Sequence, residues 1–230
     1  MEFPPAPEPP QSPRGELHVW HADLDAPGWP AADRLPEDER ERAEGLLRAL
    51  PRARWVASRW ALRGVLARYL GQPAAAIELA RGEHGKPRLT TSATEPERLA
   101  FNLSHSGPVA LVAVSAGREV GVDVEWVEAG RDLVALAERG LEPEDAAAVR
   151  AAPAAERAAT FYARWARHEA RLKCLGLGLG APRDEAPVAV AALPLGPGYA
   201  AAVAVAGDNL PSLRCWTFGP PLPEDGWSVS

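Results

Sequence analysis

The stretch Gly121-Val122-Asp123-Val124-Glu125 predicts the centre of the fold. Alternate side chains of an extended strand share one face. Asp123 and Glu125 therefore point to one side of the strand, while Val122 and Val124 point into the hydrophobic core. The pattern places two carboxylates next to each other on a strand whose opposite face is buried.

A second stretch, Trp165-Ala-Arg-His-Glu169-Ala-Arg-Leu-Lys173, follows later in the chain. On a helix, Glu169 and Lys173 are four residues apart and share a face. If this helix packs on the strand, Glu169 converges with Asp123 and Glu125, and three carboxylates suit a hard divalent cation that is bound through oxygen. The alternative is a solvated sheet face beside a surface ion pair, which stabilises a protein by only a few tenths of a kcal/mol.

Lysine usage favours the functional interpretation. Of the 25 basic residues, only Lys86 and Lys173 are lysines, so the chain otherwise carries its positive charge on arginine. A compact ammonium that can donate a proton is not interchangeable with a guanidinium that stays charged. The lysine at position 173 therefore indicates chemistry or a phosphate contact.

Composition restricts the class of protein. With 230 residues, of which 47% are apolar, the chain can form one large domain or two smaller ones. The net charge of −6 argues against a nucleic-acid partner, although local arginine clusters can hold a phosphorylated small ligand. Cys174 and Cys215 are too few for a disulfide framework, so we interpret them as reduced thiols. The longest nearly unbroken apolar run, Val109 to Val114, is too short for a membrane span, and we expect a cytoplasmic protein.

Periodicity and turn residues predict the elements of the chain. Six prolines in Met1 to Arg14 predict a disordered arm over residues 1–15, and a loose Pro-rich tail is predicted over residues 219–230. The predicted strands are Glu16 to Leu24, Val109 to Ser115, the Asp123 strand, Val188 to Leu193, Tyr199 to Ala206 and Leu213 to Phe218. The predicted helices are Pro36 to Ala49, Arg52 to Leu70, Asp132 to Glu138, Glu142 to Val149 and Glu156 to Leu175.

Three glycine-containing segments interrupt this pattern. The turn within Arg81 to Thr91 is predicted to present Lys86 on a rigid backbone. Ser104-His105-Ser106-Gly107 is predicted to be a turn whose hydroxyls and imidazole can donate to a phosphate or a base edge, or else a loop that satisfies only its own backbone. Gly176-Leu-Gly178-Leu-Gly180 follows a helix C-terminus, where the dipole repels phosphate, so we do not interpret it as a phosphate loop.

An internal repeat indicates two related halves. Arg54-Trp55-Val-Ala-Ser-Arg59 aligns without a gap with Arg164-Trp165-Ala-Arg-His-Glu169, and both halves then reach an apolar strand that ends in Ala-Gly. We therefore expect two α+β halves, over residues 16–118 and 119–218. In this alignment Arg59 takes the place of Glu169, so one helix would offer a cation and its mate an anion to a shared cleft.

Four motifs occur in series: Gly85-Lys86-Pro87, Phe101-Asn-Leu-Ser-His105-Ser-Gly, Gly121-Val-Asp123-Val-Glu125 and Trp165-x-x-x-Glu169-Ala-x-x-Lys173. In this order and spacing they resemble the 4′-phosphopantetheinyl transferases of the Sfp type. The resemblance runs from about Leu17 to Phe218. It implies an α+β pseudo-dimer of two similar halves with the active site in the cleft between them.

The resemblance implies a reaction. A serine hydroxyl of an apo carrier protein attacks the β-phosphate of coenzyme A, receives 4′-phosphopantetheine and releases adenosine 3′,5′-bisphosphate. Asp123, Glu125 and Glu169 are implied to hold Mg²⁺ on the pyrophosphate. The chemistry makes Glu169, acting directly or through a metal-bound water, the best-placed general base. Lys173 is expected to contact the pyrophosphate and to neutralise or protonate the leaving group.

Further residues are implied to bind coenzyme A. Arg59 and His105 are expected to face its 3′-phosphate, and Arg42 is expected to add a phosphate contact. Lys86 and Ser104 are expected to face the adenine or ribose end. The acceptor is an acyl, polyketide or peptidyl carrier protein, and the sequence does not identify which. We expect a monomer, because the two halves already form the cleft.

One position departs from the family pattern. Family members usually carry Lys immediately before the metal-binding Glu, and this chain has His168 there. A neutral imidazole supplies no fixed positive charge at pH 7, so a phosphate contact at this position becomes pH-dependent. Two other hypotheses therefore stay open: a catalytically degenerate module that binds coenzyme A, and an unrelated metal-dependent phosphodiesterase that uses the same three carboxylates.

Overall fold

The computed structural model describes residues 3–5, 13–82, 85–90, 98–128, 130–178 and 186–220. These residues form the expected mixed α+β fold, with nine strands and five α-helices in the described ranges. None of those helices combines the length and the apolar character that crossing a membrane requires.

The elements alternate along the chain. The strands are β1 (Glu16–Asp23), β2 (Leu79–Arg81), β3 (Pro87–Leu89), β4 (Leu99–Ser106), β5 (Val109–Ala116), β6 (Val120–Trp126), β7 (Val188–Ala192), β8 (Tyr199–Ala206) and β9 (Ser212–Thr217). The α-helices are α1 (Glu37–Glu44), α2 (Ala49–Leu70), α3 (Leu133–Gly140), α4 (Pro143–Ala151) and α5 (Arg157–Leu175).

The first sheet contains four strands in the order β4-β5-β1-β9. Strand β1 pairs antiparallel with β5 and parallel with β9. Helix α2 covers one face of this sheet, where Leu62 and Leu66 pack with Phe101 and Val112 in a buried cluster. Leu62 and Leu66, four residues apart on this helix, are fully buried.

The second sheet contains three antiparallel strands in the order β6-β8-β7. Helix α5 covers one face, where Ala166, Ala170 and Cys174 pack against Ala202 and Ala204. Small side chains on both surfaces let the helix approach the sheet closely. This close contact sets how far the α5 side chains lie from β6.

The two sheets share a core between them. Val122 and Val124 of β6 are buried there with Val19 and Leu111 of the first sheet. The inward orientation predicted for the two valines is therefore confirmed. The layers follow the order α2, first sheet, second sheet, α5, and the opposite face of β6 points to α5.

Each sheet is built from the same succession of elements. A strand is followed by a long helix and then by a hairpin whose second strand pairs antiparallel with the first strand: β1, α2, β4, β5 in one case and β6, α5, β7, β8 in the other. Strand β9 departs from the expected division of the chain at residue 118. It joins the first sheet beside β1, so the second half contributes its last strand to the sheet of the first half.

Strand β4 holds β6 through side-chain hydrogen bonds. Three backbone N–H groups at the edge of the second sheet donate to β4: Val122 to Asn102 Oδ1 (2.9 Å), Val124 to Ser104 Oγ (3.3 Å) and Trp126 to Ser106 Oγ (3.0 Å). Alternate side chains of β4 thus satisfy an edge that would otherwise lack partners.

This arrangement corrects the predicted turn at residues 104–107. Ser104, His105 and Ser106 belong to β4, and the turn lies at Gly107 and Pro108. The polar sequence suggested a loop because its hydroxyls could satisfy their own backbone. In the folded chain these hydroxyls bond to β6 instead, which the local sequence does not encode.

The boundary between α1 and α2 also differs from the prediction. Helix α1 ends at Glu44 instead of Ala49, and α2 already begins at Ala49 instead of Arg52. Pro51 lies in the first turn of α2, where a missing N–H costs no intrahelical hydrogen bond. The Arg52 Nε donates to the carbonyl oxygen of Leu46 at 2.9 Å and so ties the connection to the new helix.

Residues 3–5, at the start of the predicted arm, lie beside the last strand. The Thr217 N–H donates to Pro4 O at 2.8 Å, and Thr217 Oγ1 donates to Phe3 O at 2.9 Å. Phe3 also packs on the core between the sheets. The arm at residues 6–12 and the tail from residue 221 lie outside the described residues.

Candidate active site

Gly121 allows helix α5 to lie directly on β6. A Cβ at this position would come 2.1 Å from Ala170 O and 2.4 Å from Cys174 N, so a larger residue does not fit. Because side chains alternate along β6, Asp123 and Glu125 share the face of Gly121. Both carboxylates therefore face α5.

Three side chains of α5 lie along the face that covers β6. Trp165, Glu169 and Lys173 follow one another at four-residue spacing, about 6 Å apart along the helix axis. At one end of the row Lys173 contacts Asp123, and further along the Trp165 side chain hydrogen-bonds to Glu125.

Lys173 and Ser104 hold the buried carboxylate of Asp123. Lys173 Nζ donates to Asp123 Oδ1 at 2.5 Å and lies 3.2 Å from Ser104 Oγ. The Ser104 hydroxyl donates to the same Asp123 oxygen at 2.9 Å. Asp123 is only 2% exposed, and its charge is compensated by the ammonium and the hydroxyl. The structure thus brings together residues from β4, β6 and α5.

The carboxylates at this face repel one another. Burial, together with the negative charges of Asp123 and Glu169, raises the pKa of Glu125 to about 7, although Lys173 acts in the opposite direction. Burial and the charge of Asp123 also raise the pKa of Glu169, again opposed by Lys173. The three acids are therefore close enough to interact electrostatically, and a cation between them would relieve the repulsion.

Two buried carboxylate oxygens of the described residues have no hydrogen-bond partner: Asp123 Oδ2 and Glu169 Oε1. Within the same ranges no three His, Cys, Asp or Glu side chains are already arranged as a metal-binding group. The predicted three-carboxylate cluster is thus not preassembled, and Lys173 occupies one oxygen of Asp123. The donor set nevertheless fits a hard divalent cation, because its free oxygens are carboxylates.

Strand β4 divides the predicted coenzyme A contacts between two sides. Ser104 faces β6, whereas His105 lies on the opposite face of β4, which packs against α2. His105 is solvent-accessible, but desolvation by the surrounding protein lowers its pKa, and the positive charges of Lys173 and Arg59 lower it further. A shared phosphate contact of His105 and Arg59 stays a prediction.

Sequence reasoning missed Glu39. Its carboxylate is 3% exposed and lies between two arginines of α2, with Oε1 accepting from Arg59 Nε at 3.0 Å and Oε2 accepting from Arg63 Nε at 2.9 Å. Burial alone would raise the pKa of Glu39, but the hydrogen bonds and charges of the two arginines hold it below its ordinary value. The acids after Pro36 indicated only a helix start, since nothing local shows which of them is buried.

Lys86 forms an ion pair that its motif did not indicate. The Lys86 side chain is 9% exposed, and its ammonium donates to Glu119 Oε2 at 2.8 Å and to Val120 O at 2.9 Å. Burial would raise the pKa of Glu119, but Lys86, Arg88 and Arg98 together lower it. Lys86 thus anchors the β2–β3 hairpin to the start of β6. Its contact with adenine or ribose stays a prediction.

Two further predicted positions lie at the margin of the site. Arg42 is exposed in the last turn of α1, the helix that carries Glu39. The ring of His168 lies 6.2 Å from the ring of Trp165, and burial lowers the pKa of this histidine. His168 is therefore neutral at pH 7, as the sequence indicated.

A cavity of about 410 Å³ opens beside Glu125. Its lining consists of Arg54, Ser106, Gly107, Glu125, Trp126, Glu128, Arg131 and Tyr162. Trp126 is 44% exposed, and a Cβ at Gly107 would lie 2.2 Å from its ring. No local motif indicates this cavity, because its lining residues come from α2, the end of β4, the end of β6 with the segment that follows it, and α5.

Comparison with known proteins covers both halves of the chain. Residues 25–117 match the family described as 4′-phosphopantetheinyl transferase, N-terminal, and residues 119–216 match the 4′-phosphopantetheinyl transferase superfamily. The chain is 35% identical over 167 residues to 4′-phosphopantetheinyl transferase HetI of a Nostoc species. The aligned residues cover 71% of this chain and 70% of that protein.

Two other relatives are matched over a smaller share. A phosphopantetheinyl transferase of a Thraustochytrium species is 32% identical over 64% of this chain and 54% of its own length. The L-aminoadipate-semialdehyde dehydrogenase-phosphopantetheinyl transferase of Xenopus laevis is 33% identical over 54% of this chain and 44% of its own length. The match thus spans about half of these two proteins. With both family matches in series and the Nostoc relative matched over most of its length, this chain belongs to the 4′-phosphopantetheinyl transferase superfamily, a family of enzymes.

Proposed function

We propose that this protein transfers 4′-phosphopantetheine from coenzyme A to a serine hydroxyl of an apo acyl, polyketide or peptidyl carrier protein, in a reaction that depends on Mg²⁺. The observation that carries the proposal is the convergence of Asp123, Glu169 and Lys173, with two carboxylate oxygens that have no other partner. An ammonium beside free carboxylate oxygens suits a metal-bound pyrophosphate.

Asp123, Glu125 and Glu169 are the residues that would hold the ion. When bound, Mg²⁺ supplies Lewis-acid stabilisation and a template for the pyrophosphate. The burial of Asp123 and the hydrogen bond from Ser104 fix one ligand in advance. Lys173 then contacts the pyrophosphate and neutralises the charge that develops on the leaving group.

Glu169 is the proposed general base. It accepts the proton of the carrier serine as the serine oxygen bonds to the β-phosphorus, while the bond to the adenosine 3′,5′-bisphosphate leaving group breaks. Its position on α5 one turn before Lys173 places proton acceptor and cation on the same helical face. General bases of this kind contribute about 10²- to 10⁴-fold in rate.

The remaining proposed contacts surround coenzyme A. Arg59 and His105 bind the 3′-phosphate, and the effect of the Arg59 charge on His105 supports this pairing. Lys86 and Ser104 are proposed to contact the adenine or ribose when coenzyme A binds, and Arg42 is proposed to add a further phosphate contact. We further propose the Sfp type, with two pseudo-dimeric halves and the active site between them, in a cytoplasmic monomer.

Incubation with coenzyme A, Mg²⁺ and a panel of apo carrier proteins tests the function. We expect one or more carriers to gain the mass of the phosphopantetheinyl group, with stoichiometric release of adenosine 3′,5′-bisphosphate. The neutral His168 favours one competing hypothesis, a module that only binds coenzyme A. Tight binding of coenzyme A without a mass gain on any carrier would support that alternative.

A further inference from the structure

A buried ion triplet connects α1 and α2. Glu39 is 3% exposed, and the side chains of its partners Arg59 and Arg63 are 13% and 2% exposed. Two guanidinium groups share one carboxylate, so one positive charge stays in excess. A buried excess charge is costly unless an anion approaches it, and only Arg59 is open enough to meet one.

The two arginines have different tasks. Arg63 donates to Glu39 Oε2, to Ala74 O at 3.2 Å and to Ile77 O at 2.7 Å, so its donors hold the chain after α2. Arg59 directs both Nε and Nη2 to Glu39 Oε1, at 3.0 and 2.5 Å. These bonds fix the plane of the Arg59 guanidinium and leave Nη1 for another acceptor.

Other contacts restrict Arg59 further. Its Cζ lies 6.0 Å from the centre of the Trp55 ring, and its charge acts on His105 of strand β4. The guanidinium is thus held between Glu39 of α1 and the ring of Trp55, and its positive charge acts on His105. A planar donor in a fixed orientation is suited to a phosphate group.

We infer that Glu39 is the positioning residue of Arg59 and thereby sets the preference of the enzyme for a donor with a 3′-phosphate. This inference rests on the proposed function, because the 3′-phosphate belongs to coenzyme A. Glu39 touches no part of the substrate. It acts by orienting the guanidinium that does.

Calorimetric binding of adenosine 3′,5′-bisphosphate and of adenosine 5′-monophosphate tests the inference without catalysis. The wild-type protein is expected to bind the bisphosphate more tightly. In Glu39→Gln this preference should fall about tenfold, because the charge-assisted hydrogen bonds that orient Arg59 are lost. Affinity for the monophosphate should change less than about twofold, since that ligand lacks the group that Arg59 meets.

Arg63→Gln is the matched control, because Arg63 binds the other oxygen of the same carboxylate. It should lower the melting temperature and leave the preference for the bisphosphate unchanged. Glu39→Asp retains the charge on a shorter side chain and should keep part of the preference. Glu39→Asp also serves as the main variant if Glu39→Gln does not fold.

Three results would overturn the inference: no preference for the bisphosphate in the wild-type protein, equal losses for both ligands on changing Glu39, or a loss of preference in Arg63→Gln as large as in Glu39→Gln. The carrier assay separates this outcome from the proposed function. If the wild-type protein transfers the group from coenzyme A but the Glu39 variants keep the preference for the bisphosphate, only the inference is refuted. If no carrier is modified but the Glu39 variants lose that preference as expected, only the proposed function is refuted.

Discussion

Gly121 of β6 lies beneath Ala170 of α5 with no room for a side chain, since a Cβ would stand 2.1 Å from the Ala170 carbonyl oxygen. This contact sets the distance between the strand of Asp123 and the helix of Glu169. The position of the three acids relative to Lys173 follows from it.

Gly121→Ala is therefore expected to move α5 away from β6 and to lower both stability and transfer activity. Overpacking of this kind costs about 1–3 kcal/mol in stability. Urea denaturation and the carrier assay measure the two effects. Gly219→Ala is the control, because no atom lies within 4 Å of its built Cβ. Unchanged stability and activity in Gly121→Ala would show that the close contact does not hold the site together.

Asp123→Ala and Glu169→Ala should each reduce transfer by about 100-fold or more. The first variant lacks an ion ligand, and the second lacks both an ion ligand and the proton acceptor. Near-native circular dichroism should accompany the loss. The exposed carboxylate of Glu144 offers the comparison, and Glu144→Ala should retain activity. Full activity in either site variant would mean that the ion and base assignments are wrong.

Asn102→Ala should destabilise the protein by about 1–3 kcal/mol, because it leaves the buried Val122 N–H without an acceptor. Ser106→Ala removes the corresponding bond at the exposed end of the row, where water can replace it, and should cost clearly less. Denaturant midpoints of the two variants provide the test. Equal losses would show that β4 does not anchor β6 mainly through its buried side chains.

The contribution of His18 to stability should fall as the pH decreases below about 6.5, the ordinary pKa of histidine. His18 is 2% exposed, and burial lowers its pKa, although the hydrogen bond with Glu16 acts in the opposite direction. The unfolded chain then binds a proton at a pH where the folded protein does not, so acid favours unfolding. Urea midpoints at pH 7.5 and 5.5 measure this difference.

Two variants check the assignment of this pH dependence to His18. His18→Gln should reduce the difference between the two midpoints. Glu16→Gln should increase it, since it removes the partner that favours protonation of His18. A difference that is the same in all three proteins would place its origin elsewhere. His21, His105 and His168 have lowered pKa values too and contribute with the same sign. Glu125 and Glu169 have raised pKa values and contribute with the opposite sign, so the comparison of the variants with the wild-type protein isolates the part that belongs to His18.

Much of the site could be predicted because its information is local. Alternation along β6 placed Asp123 and Glu125 on one face, and the four-residue spacing placed Glu169 and Lys173 on one face of α5. The type of each element follows from such periodicity over a few residues. Four short motifs in the right order were then sufficient to indicate the family.

Other features could not be predicted from the sequence, because they depend on partners that are distant in the chain. Ser104 and Ser106 are loop-like by composition, but they form strand because β6 offers N–H groups to them. Glu39 is one of several acids in α1, and only the approach of α2 makes it a buried partner of Arg59. The engagement of Lys86 by Glu119 is likewise a tertiary contact.

The sequence by itself determined which side chains share a face, since that depends on the backbone repeat of a single helix or strand. Only the tertiary structure decided which faces meet, which carboxylates are buried and which hydrogen bonds they form. Those outcomes follow from the packing of α5 on Gly121 and of β4 beside β6, where residues far apart in the chain exclude water together. A local sequence pattern does not show which distant element it will pack against.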